Sequence, residues 1–369
     1  MSRFVQFHLL TSYPPSNLNR DDLGRPKSAL FGGKNRLRIS SQCLKRTWRT
    51  SDQFEKALDG HLGSRTRRVG EIAYFQLLEL GVAPGNAHKW AREIAGEFGK
   101  VAAITKKTKG EEKSQKELLQ ELHTQQLVHI SPAEKQAILD VCAVLAEENR
   151  APEKDDLSLL RRDHAAADIA MFGRMLASAT SYNMEAAVQV AHALTVHAVD
   201  IEDDYFTAVD DLNRPSDHES SQHADDDAGA AHIGELGFGA GVFYLYICVD
   251  RELLKRNLND NEELVANALQ ALLEAASKTS PSGKQNSFAS RALAHYVLAE
   301  QGDEQPRSLS SAFLKPITGE NLLADAIAQL EDTRTRFGQA YGELPKAASL
   351  NVLNGEGSLA DILSFVREG

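Results

Sequence analysis

The sequence predicts an α+β fold whose core follows the β-α-β-β-α-β order of a ferredoxin-like unit. First, a strand-like run at Arg3–Leu10 precedes an amphipathic helical pattern. Second, "GVFYLYICV" is the strongest strand pattern in the chain, and a helix and another strand follow it. Third, helical patterns from Arg67 to about Arg150 indicate a large insertion between the two halves. The 369 residues suffice for two modest domains or for one domain with such an insertion.

The N-terminal elements follow from apolar spacing. Phe, Val and Leu on both faces of "RFVQFHLL" predict a buried strand, and the Pro-, Asn-, Asp- and Gly-rich residues 11–33 predict a long loop. Strict alternation over Arg36–Ser40 predicts an extended segment with Arg36, Arg38 and Ser40 on one side. Ser40 or Ser41 would cap a helix through about Ala57, with Leu44 and Trp48 towards the core. The opposite face of that helix carries Gln42, Lys45, Arg46 and Arg49.

The later elements alternate between helix and strand patterns. Ser131, Pro132 and Glu134 form a capping box that predicts a helix start. Two more helices are predicted in "DHAAADIAMFGRMLASA" and "NMEAAVQVAHALTVHAV". Two β-leaning segments flank an acidic stretch and predict a long hairpin. A helix over about 262–277, a strand in "RALAHYVLAE" and two C-terminal helices complete the order, and Ser358 would cap the last helix.

Charge is distributed unevenly along the chain. The net charge is −11, from 41 Lys and Arg against 52 Asp and Glu. Arg20–Arg49 nevertheless holds nine basic residues against two acids, whereas Asp200–Glu235 holds twelve acids and one base. Segments of opposite sign can neutralise each other within a molecule or between neighbouring copies. Several cations on one surface with few acids between them are what a phosphate backbone requires, so the basic stretch predicts a nucleic-acid contact.

Several classes of protein are excluded by what the sequence lacks. No apolar run approaches the roughly 20 residues that span a bilayer, and the N-terminus lacks signal-peptide features, so we expect a cytoplasmic protein with no membrane partner. Cys43, Cys142 and Cys248 are odd in number and far apart, which argues against a disulfide framework. "FGGKNR" lacks the P-loop spacing, and "GFGAGVFY" precedes a strand instead of a helix, so neither predicts a nucleotide site.

Two further alternatives concern metal and catalysis. His218, His223 and His232 lie among aspartates, but their spacing matches no ligand pattern. Asp21 and Asp22 could act as general base or metal ligands for RNA cleavage, although ion pairs with neighbouring arginines are the commoner use. We therefore predict no catalytic residue, no metal site and no cofactor.

Motifs along three quarters of the chain carry a family resemblance. They include "NLNRDD", "K-x-A-x-FGGK-x-R-x-RISSQ-x-LKR", "DIAMFGRM", "AVQVAHALTVH", "DDYFTAVDD", "AHIGELGFGAGVFY" and "SGKQNSF", in collinear order to about Ala289. Together they resemble the CasC family, the Cas-seven-type backbone subunit of Cascade, which is the type I-E CRISPR surveillance complex.

The resemblance implies a hand-shaped subunit. The palm would be an RRM-like (ferredoxin-like) core made of residues 1–58 and 236–369 with a helix at 181–199. The fingers would be a helical insertion at 59–180, and the thumb a β-hairpin at 200–235. In this family several copies stack head to tail along one guide RNA (crRNA), beside other Cascade subunits. Each thumb displaces a base of the guide, and the intervening segments pair with target DNA in antiviral defence.

The resemblance also assigns residues. Met175 matches a fingers residue wedged beside the displaced base, Arg174 precedes it in the same motif, and Thr207 belongs to the thumb wedge. Arg20, Lys34, Arg38 and Arg46 are added to the predicted RNA-binding residues because of their charge and their positions in the loop, strand and helix. Lys106, Lys107 and Lys109 could touch target DNA. The palm positions that match contacts to guide phosphates are Lys27, Ser40, Gln42, Lys45 and Arg49, together with the loop Ser282, Gly283, Lys284 and Gln285.

Two other functions compete with this interpretation. Related backbone subunits of other CRISPR types cut target RNA with an acid in the corresponding loop, so a metal-dependent endoribonuclease is the main alternative. A structural oligomer that binds no nucleic acid is the other. The thumb tip, 213–230, is long and acidic, and because acid repels phosphate we expect it to face away from RNA or to pair with the basic surface of the next copy.

Overall fold

A large antiparallel sheet organises the chain. The computed structural model describes residues 2–104, 113–163, 166–208, 232–342 and 344–368, and within these ranges nine strands form this sheet while two more form a separate two-stranded sheet. The strands are β1 (Phe4–Ser16), β2 (Ser28–Phe31), β3 (Lys34–Ile39), β4 (Ser64–Thr66), β5 (Val128–Ile130), β6 (Val188–Val190), β7 (Ala193–Thr195), β8 (Glu202–Ala208), β9 (His232–Asp250), β10 (Tyr296–Gly302) and β11 (Lys346–Asn351).

Helices cover both faces of this sheet and build the insertion. They are α1 (Ser41–Arg49), α2 (Asp52–Ala57), α3 (Val69–Glu79), α4 (Pro84–Phe98), α5 (Gln115–Gln120), α6 (Pro132–Glu148), α7 (Ala167–Phe172), α8 (Arg251–Asn257), α9 (Glu262–Lys278), α10 (Gln285–Phe288), α11 (Leu322–Tyr341) and α12 (Leu359–Glu368). Short 3₁₀ turns lie at Thr180–Tyr182 and Ser310–Phe313. The α+β prediction is confirmed. No helix in the described ranges is long and apolar enough to cross a membrane.

Strand β1 lies at the centre of the sheet. The order is β11-β10-β1-β9-β7-β3-β2, with β6 and β8 also paired to β9. Val5, Phe7, Leu9 and Leu10 are all fully buried. The prediction of a buried first strand is confirmed, although the strand runs six residues further than predicted, to Ser16.

The two faces of β1 contribute to different hydrophobic clusters. Its Val5, Phe7 and Leu9 share a cluster with Leu44 and Trp48 of α1 and with residues of α9 and α12. On the other face, Leu10 belongs to a cluster with the Ser310–Phe313 turn and α11. The palm is therefore a three-layer structure, and the apolar side of α1 docks on it as predicted.

The fingers form a helical unit with its own core. Helices α3, α4 and α6 surround a cluster that includes Leu77, Trp90 and Ile94, separate from the cores of the sheet. The Ser131 hydroxyl accepts from Glu134 N, and the Glu134 carboxylate accepts from Ser131 N, so the predicted capping box of α6 is present. The short strands β4 and β5 pair antiparallel with each other, and α3, α4 and α5 lie between them along the chain.

One predicted helix is wrong, and another is shorter than predicted. Residues 181–199, predicted as a palm helix, contain β6 and β7, which pair with β9 through Val188 with Val249 and Leu194 with Tyr244. Tertiary pairing overrides the helical propensity of the alanines because the long strand β9 needs a partner on this side. In the preceding segment the helix is limited to α7, and Gly173, with φ of +80°, follows its end.

Another helix is divided. The pattern over residues 41–57 predicted one helix, but α1 ends at Arg49 and α2 begins at Asp52. The Ser51 hydroxyl donates to Trp48 O at 2.8 Å and accepts from Phe54 N at 3.4 Å, so it terminates one helix and caps the next. At the C-terminus the predicted elements are present, including the Ser358 cap of α12, and β11 is an additional edge strand.

A buried charged cluster attaches α11 to the sheet. Glu300 on β10 is fully buried and accepts hydrogen bonds from Arg307 at 3.1 Å and from Arg334 on α11 at 2.7 Å. The Nε2 atom of His8 lies 3.1 Å from the same carboxylate. Burial alone would raise the pKa of Glu300, but the hydrogen bonds from His8, Arg307 and Arg334 outweigh it and hold the pKa at about 2.

This cluster predicts a pH dependence of stability. Because the pKa of Glu300 is depressed in the folded state, its contribution is complete above the ordinary pKa of 4.5 and is lost as pH falls towards about 2. Glu300→Gln should lower the free energy of unfolding at pH 7 by about 3 kcal/mol and flatten its pH dependence below pH 4.5. Urea denaturation at several pH values measures both. Glu304→Gln, on the exposed loop nearby, is the control, and equal urea midpoints for the two variants at pH 7 would contradict the assignment.

Candidate nucleic-acid interface

Backbone hydrogen bonds join the basic loop to the strand and helix that follow it. Lys27 N donates to Asn19 O at 2.8 Å, and Arg38 N on β3 donates to Lys27 O at 2.8 Å. The Asn19 side chain accepts from Ser40 N, at the start of α1, at 2.9 Å. The loop, β3 and α1 are therefore fixed against one another, as the predicted interface requires.

Three of the predicted cations meet at this junction. Lys27 and Arg46 both act electrostatically on the Cys43 thiol of α1, whose pKa burial raises and these two cations partly lower again. Arg38 donates to His192 Nδ1 at 2.9 Å, and Lys27 also acts on the same imidazole. Lys27 therefore lies within electrostatic range of Cys43, beside Arg46 on α1, and of His192, which contacts Arg38 on β3. We call Lys27, Arg38, Arg46 and His192 the palm cluster.

The other two cations of α1 face the fingers. The Lys45 ammonium lies 5.8 Å from the centre of the Phe172 ring on α7, and partial burial lowers the pKa of this lysine. Arg49, one turn further along α1, lies 3.6 Å from the Asp168 carboxylate of α7. Helix α1 therefore lies against the fingers on one side of its basic face and beside the palm cluster on the other.

Asp168 has a structural role that qualifies the prediction for Arg49. Its carboxylate is fully buried and lies 2.8 Å from both Gly63 N and His129 Nε2, in addition to Arg49. The Arg49 side chain is only 18% exposed. Arg49 was predicted to be a phosphate ligand like its neighbours, but in this structure it neutralises a buried acid at the junction of palm and fingers.

Two residues of the extended segment are also structural. Arg36 was predicted to lie beside Arg38, but it is fully buried and donates to Thr195 O at 2.9 Å and to Phe313 O at 3.0 Å. The 3₁₀ turn that contains Phe313 covers Arg36. The predicted alternation, with Arg36 and Arg38 on the same open side of the strand, is therefore wrong for Arg36. The Ser40 hydroxyl caps α1 by accepting from Cys43 N at 3.3 Å, and the residue is 6% exposed.

The remaining predicted residues of this region are exposed. Arg20 and Gln42 are exposed beside the palm cluster, Arg20 in the basic loop and Gln42 in the first turn of α1. Lys34 is exposed at the tip of the β2–β3 hairpin, where it pairs with Phe31. It lies four strand residues, roughly 13 Å, from Arg38, so it extends the basic surface instead of joining the cluster.

The loop Ser282–Gln285 approaches the basic loop closely. A Cβ atom on Gly283 would lie 2.4 Å from Leu18 O and 2.7 Å from Asn17 O, so only glycine fits there. Lys284 follows with φ of +52°, and Ser282 is exposed. The contact places this loop beside the basic loop, and its role in RNA binding stays a prediction.

Gln285 departs from its predicted role as an RNA ligand. Its amide nitrogen donates to Pro281 O at 2.8 Å and to Ser290 Oγ at 3.3 Å, and its amide oxygen is buried. The side chain therefore braces the loop. Gln285 and Ser282 line one side of a polar cavity of about 420 Å³, and Thr47 and Thr50 of α1 line the other.

The two residues of the "GRM" motif are placed differently. Met175 is 81% exposed, which is unusual for methionine and agrees with its predicted position on a contact surface. Arg174 was predicted beside it, but its guanidinium is buried and pairs with the buried Glu134 carboxylate at 2.7 Å. It also donates to Tyr182 O. Arg174 thus stabilises the fingers and is not presented to a ligand.

The root of the thumb is attached to the basic loop. Arg25 forms an ion pair with Asp203 of β8 at 2.9 Å, and the Asn17 amide donates to Gly237 O of β9 at 2.9 Å. A Cβ atom on Gly237 would lie 3.1 Å from the Pro26 ring, so this glycine permits close packing. Thr207 is exposed further along β8. The predicted hairpin is present, and its orientation depends on the loop that carries the cations.

Among the acidic candidates, Asp21 has a structural role in the basic loop. Asp21 Oδ1 accepts from Leu23 N at 3.0 Å and Arg25 N at 2.9 Å, so it stabilises a turn. Among the residues that the structure describes, no three His, Cys, Asp or Glu side chains could hold a metal ion. Lys106, Lys107, Lys109, the thumb tip 213–230, His218 and His223 lie outside those residues, as does the side chain of His232.

Sequence reasoning missed three members of this site. Asp168, Phe172 and His192 each contact a predicted cation, yet none is basic. All three lie within the motifs "DIAMFGRM" and "AVQVAHALTVH". Their presence in these motifs is the signal by which the sequence could have indicated them. Residue spacing along the chain, however, does not reveal contacts between distant segments.

Comparisons with known proteins identify a family and two similar folds. A family model described as "CT1975-like protein" matches residues 5–362. A chain in a solved structure described as "CRISPR RNA-guided surveillance complex, pre-nicking" is 28% identical, with a TM-score of 0.80 over 99% of both chains. Another, from a "CRISPR RNA-guided surveillance complex", is 24% identical, covers 99% of this chain and 100% of that one with a TM-score of 0.71, and shows the fold alone. No curated protein sequence matches.

The Asp168 network yields a prediction about the junction of palm and fingers. Asp168→Ala should lower the free energy of unfolding by about 3 kcal/mol, because Gly63 N and His129 lose a buried acceptor and Arg49 loses its counterion. Urea denaturation measures this loss. Asp59→Ala, at an exposed position after α2, is the matched control and should change stability by less than about 0.5 kcal/mol. Equal losses in both variants would show that Asp168 is not a structural centre.

Proposed function

The chain belongs to the CT1975-like protein family, and from that premise we propose that it is the backbone subunit that grips crRNA in a CRISPR surveillance complex. The similarity over 99% of both chains to a chain of an RNA-guided complex supports this role. The observation that carries the proposal is the palm cluster, in which a loop, a strand and a helix bring Lys27, Arg38 and Arg46 to one surface. Such a surface holds a phosphate strand without reading its bases.

The strand order supports an RRM-like core. Strands β10-β1-β9-β6 are neighbours in that order, with α1 between β1 and β6 along the chain and α9 between β9 and β10. This is the arrangement of a β-α-β-β-α-β unit, in which the fingers are inserted after α2 and the thumb interrupts the strand pair β6–β9. From the motifs that resemble the CasC family, we further propose that the chain is the subunit type found in type I-E complexes, with the palm as the guide-binding surface.

The fingers and thumb supply the rest of the proposed mechanism. Copies of the subunit stack head to tail on the guide, beside other Cascade subunits. The exposed Met175 of one copy and the exposed Thr207 of a neighbour's thumb flank a displaced base. The guide segments between these kinks remain open to pair with target DNA. Phosphate contacts fix the position of the guide, and the wedge residues fix its shape.

The phosphate grip predicts a change in salt dependence. Each single-strand phosphate neutralised contributes about 0.7 to the slope of log K against log salt. Lys27→Ala or Lys45→Ala should therefore lower this slope by about 0.7 each and weaken RNAs of different sequence equally. Titration of single-stranded RNAs of mixed sequence at several salt concentrations, followed by fluorescence anisotropy, measures both.

The matched control is Lys135→Ala, at an exposed position on the fingers helix α6, away from the palm cluster. It should leave the slope unchanged. An unchanged slope in the palm variants, or a slope that falls equally in the control, would remove these lysines from the interface.

We also propose that the subunit is not an enzyme. The assembled complex, incubated with labelled complementary RNA and Mg²⁺, should leave that RNA intact. Regularly spaced cuts that disappear in Asp22→Ala would instead establish the endoribonuclease alternative. Asp21→Asn is a poor substitute for this test because Asp21 stabilises the turn of the same loop.

A further inference from the structure

A β-bulge lies where β6 continues into β7, the strand that connects β9 to β3 beside the basic surface. In β6, Val190 pairs with Ile247 of β9, whereas in β7, Leu194 pairs with Tyr244. Four residues on one strand thus correspond to three on the other, so one extra residue is accommodated between them. Burial changes phase at the same place, since Val188 and Ala193 are both buried and His192 is exposed. Bulges redirect side chains in this way and are frequent beside functional sites.

The redirected side chain is His192, and its contact fixes its tautomer. Its Nδ1 atom lies 2.9 Å from an Arg38 guanidinium nitrogen. Guanidinium can only donate, so Nδ1 must accept, and a neutral imidazole then carries its proton on Nε2. The imidazole ring therefore carries an N–H group on the side opposite Arg38, and His192 is exposed to solvent.

We propose that His192 is a further RNA-contacting residue, which holds Arg38 through Nδ1 and donates a hydrogen bond from Nε2 to a phosphate oxygen of the same strand. This inference rests on the proposed function, because it adds a ligand to the surface described above. His192 differs from the other ligands in that it adds a directed donor without adding charge.

The surroundings of His192 keep it neutral. Burial lowers the pKa of the imidazole, and the nearby cations Arg38 on β3 and Lys27 in the basic loop lower it further. A third cation at this position would be repelled by Arg38 and Lys27. A neutral hydrogen-bond donor avoids that repulsion. It also holds the Arg38 guanidinium in one orientation, which reduces the entropy lost when a phosphate binds.

Three substitutions test the assignment in the full chain. The amide nitrogen of Gln reaches approximately the position of Nε2, whereas Asn is too short, and Leu has neither donor nor acceptor. His192→Gln should bind single-stranded RNA of mixed sequence within about threefold of the wild type. His192→Asn and His192→Leu should bind roughly tenfold more weakly, the usual effect of losing a hydrogen bond to a charged group. The slope of log K against log salt should be the same in all four proteins, since none of these changes alters charge.

Three results would overturn the proposal. One is equal affinity of the Gln and Asn variants. Another is a wild-type affinity that rises as pH falls from 8 to 6 while the variants stay constant, because that would show binding by imidazolium. The third is wild-type affinity in all three variants. In each of these three cases the wild type still binds RNA in a salt-dependent way. If the proposed function itself were wrong, the wild type would bind no RNA.

Discussion

The pairing of β1 with β9 is the constraint on which the other parts depend. Strand β9 is 19 residues long, and its palm half pairs with β1 in continuous register from Phe4 with Asp250 to Tyr13 with Gly241. Its other half continues into the thumb and pairs with β8. A shift of one residue would turn every side chain of a strand to the other face. The register of β1 therefore fixes the palm core and the root of the thumb together.

Two acidic side chains close to the basic surface form ion pairs with arginines. Asp168 is neutralised by Arg49 inside the junction, and Asp203 by Arg25 at the thumb root. Each pair uses an arginine that the sequence placed among the cations of the surface or next to them. As a consequence, Arg49 and Arg25 are engaged by these acids in the structure. The benefit is that these acids do not compete with phosphate for Lys27, whose described neighbours include Arg38 and a neutral histidine.

The sequence predicted the elements whose signal is local. The N-cap at Ser40, the capping box at Ser131 and the apolar face of α1 depend on neighbouring residues, and all are present. The error at residues 181–199 arose because alanine-rich spacing suits a helix, while the pairing that makes these residues strands comes from β9, some fifty residues away. Charge predicted the cations but not their partners. The burial of Arg36 and Arg174 could not be predicted, because the groups that accept their hydrogen bonds come from distant segments of the chain.

The acidity of the whole chain does not prevent the proposed grip. A net charge of −11 would repel RNA at long range, but at physiological salt the Debye length is about 8 Å, so charges farther away are largely screened. Within that distance of a phosphate, the surface is dominated by Lys27, Arg38 and Arg46, held by backbone hydrogen bonds and a helix. Because backbone hydrogen bonds join these elements to one another, we expect RNA binding to cost little conformational entropy of the backbone. Contacts of this kind attract any sequence equally, and this is the property that a subunit repeated along a variable guide requires.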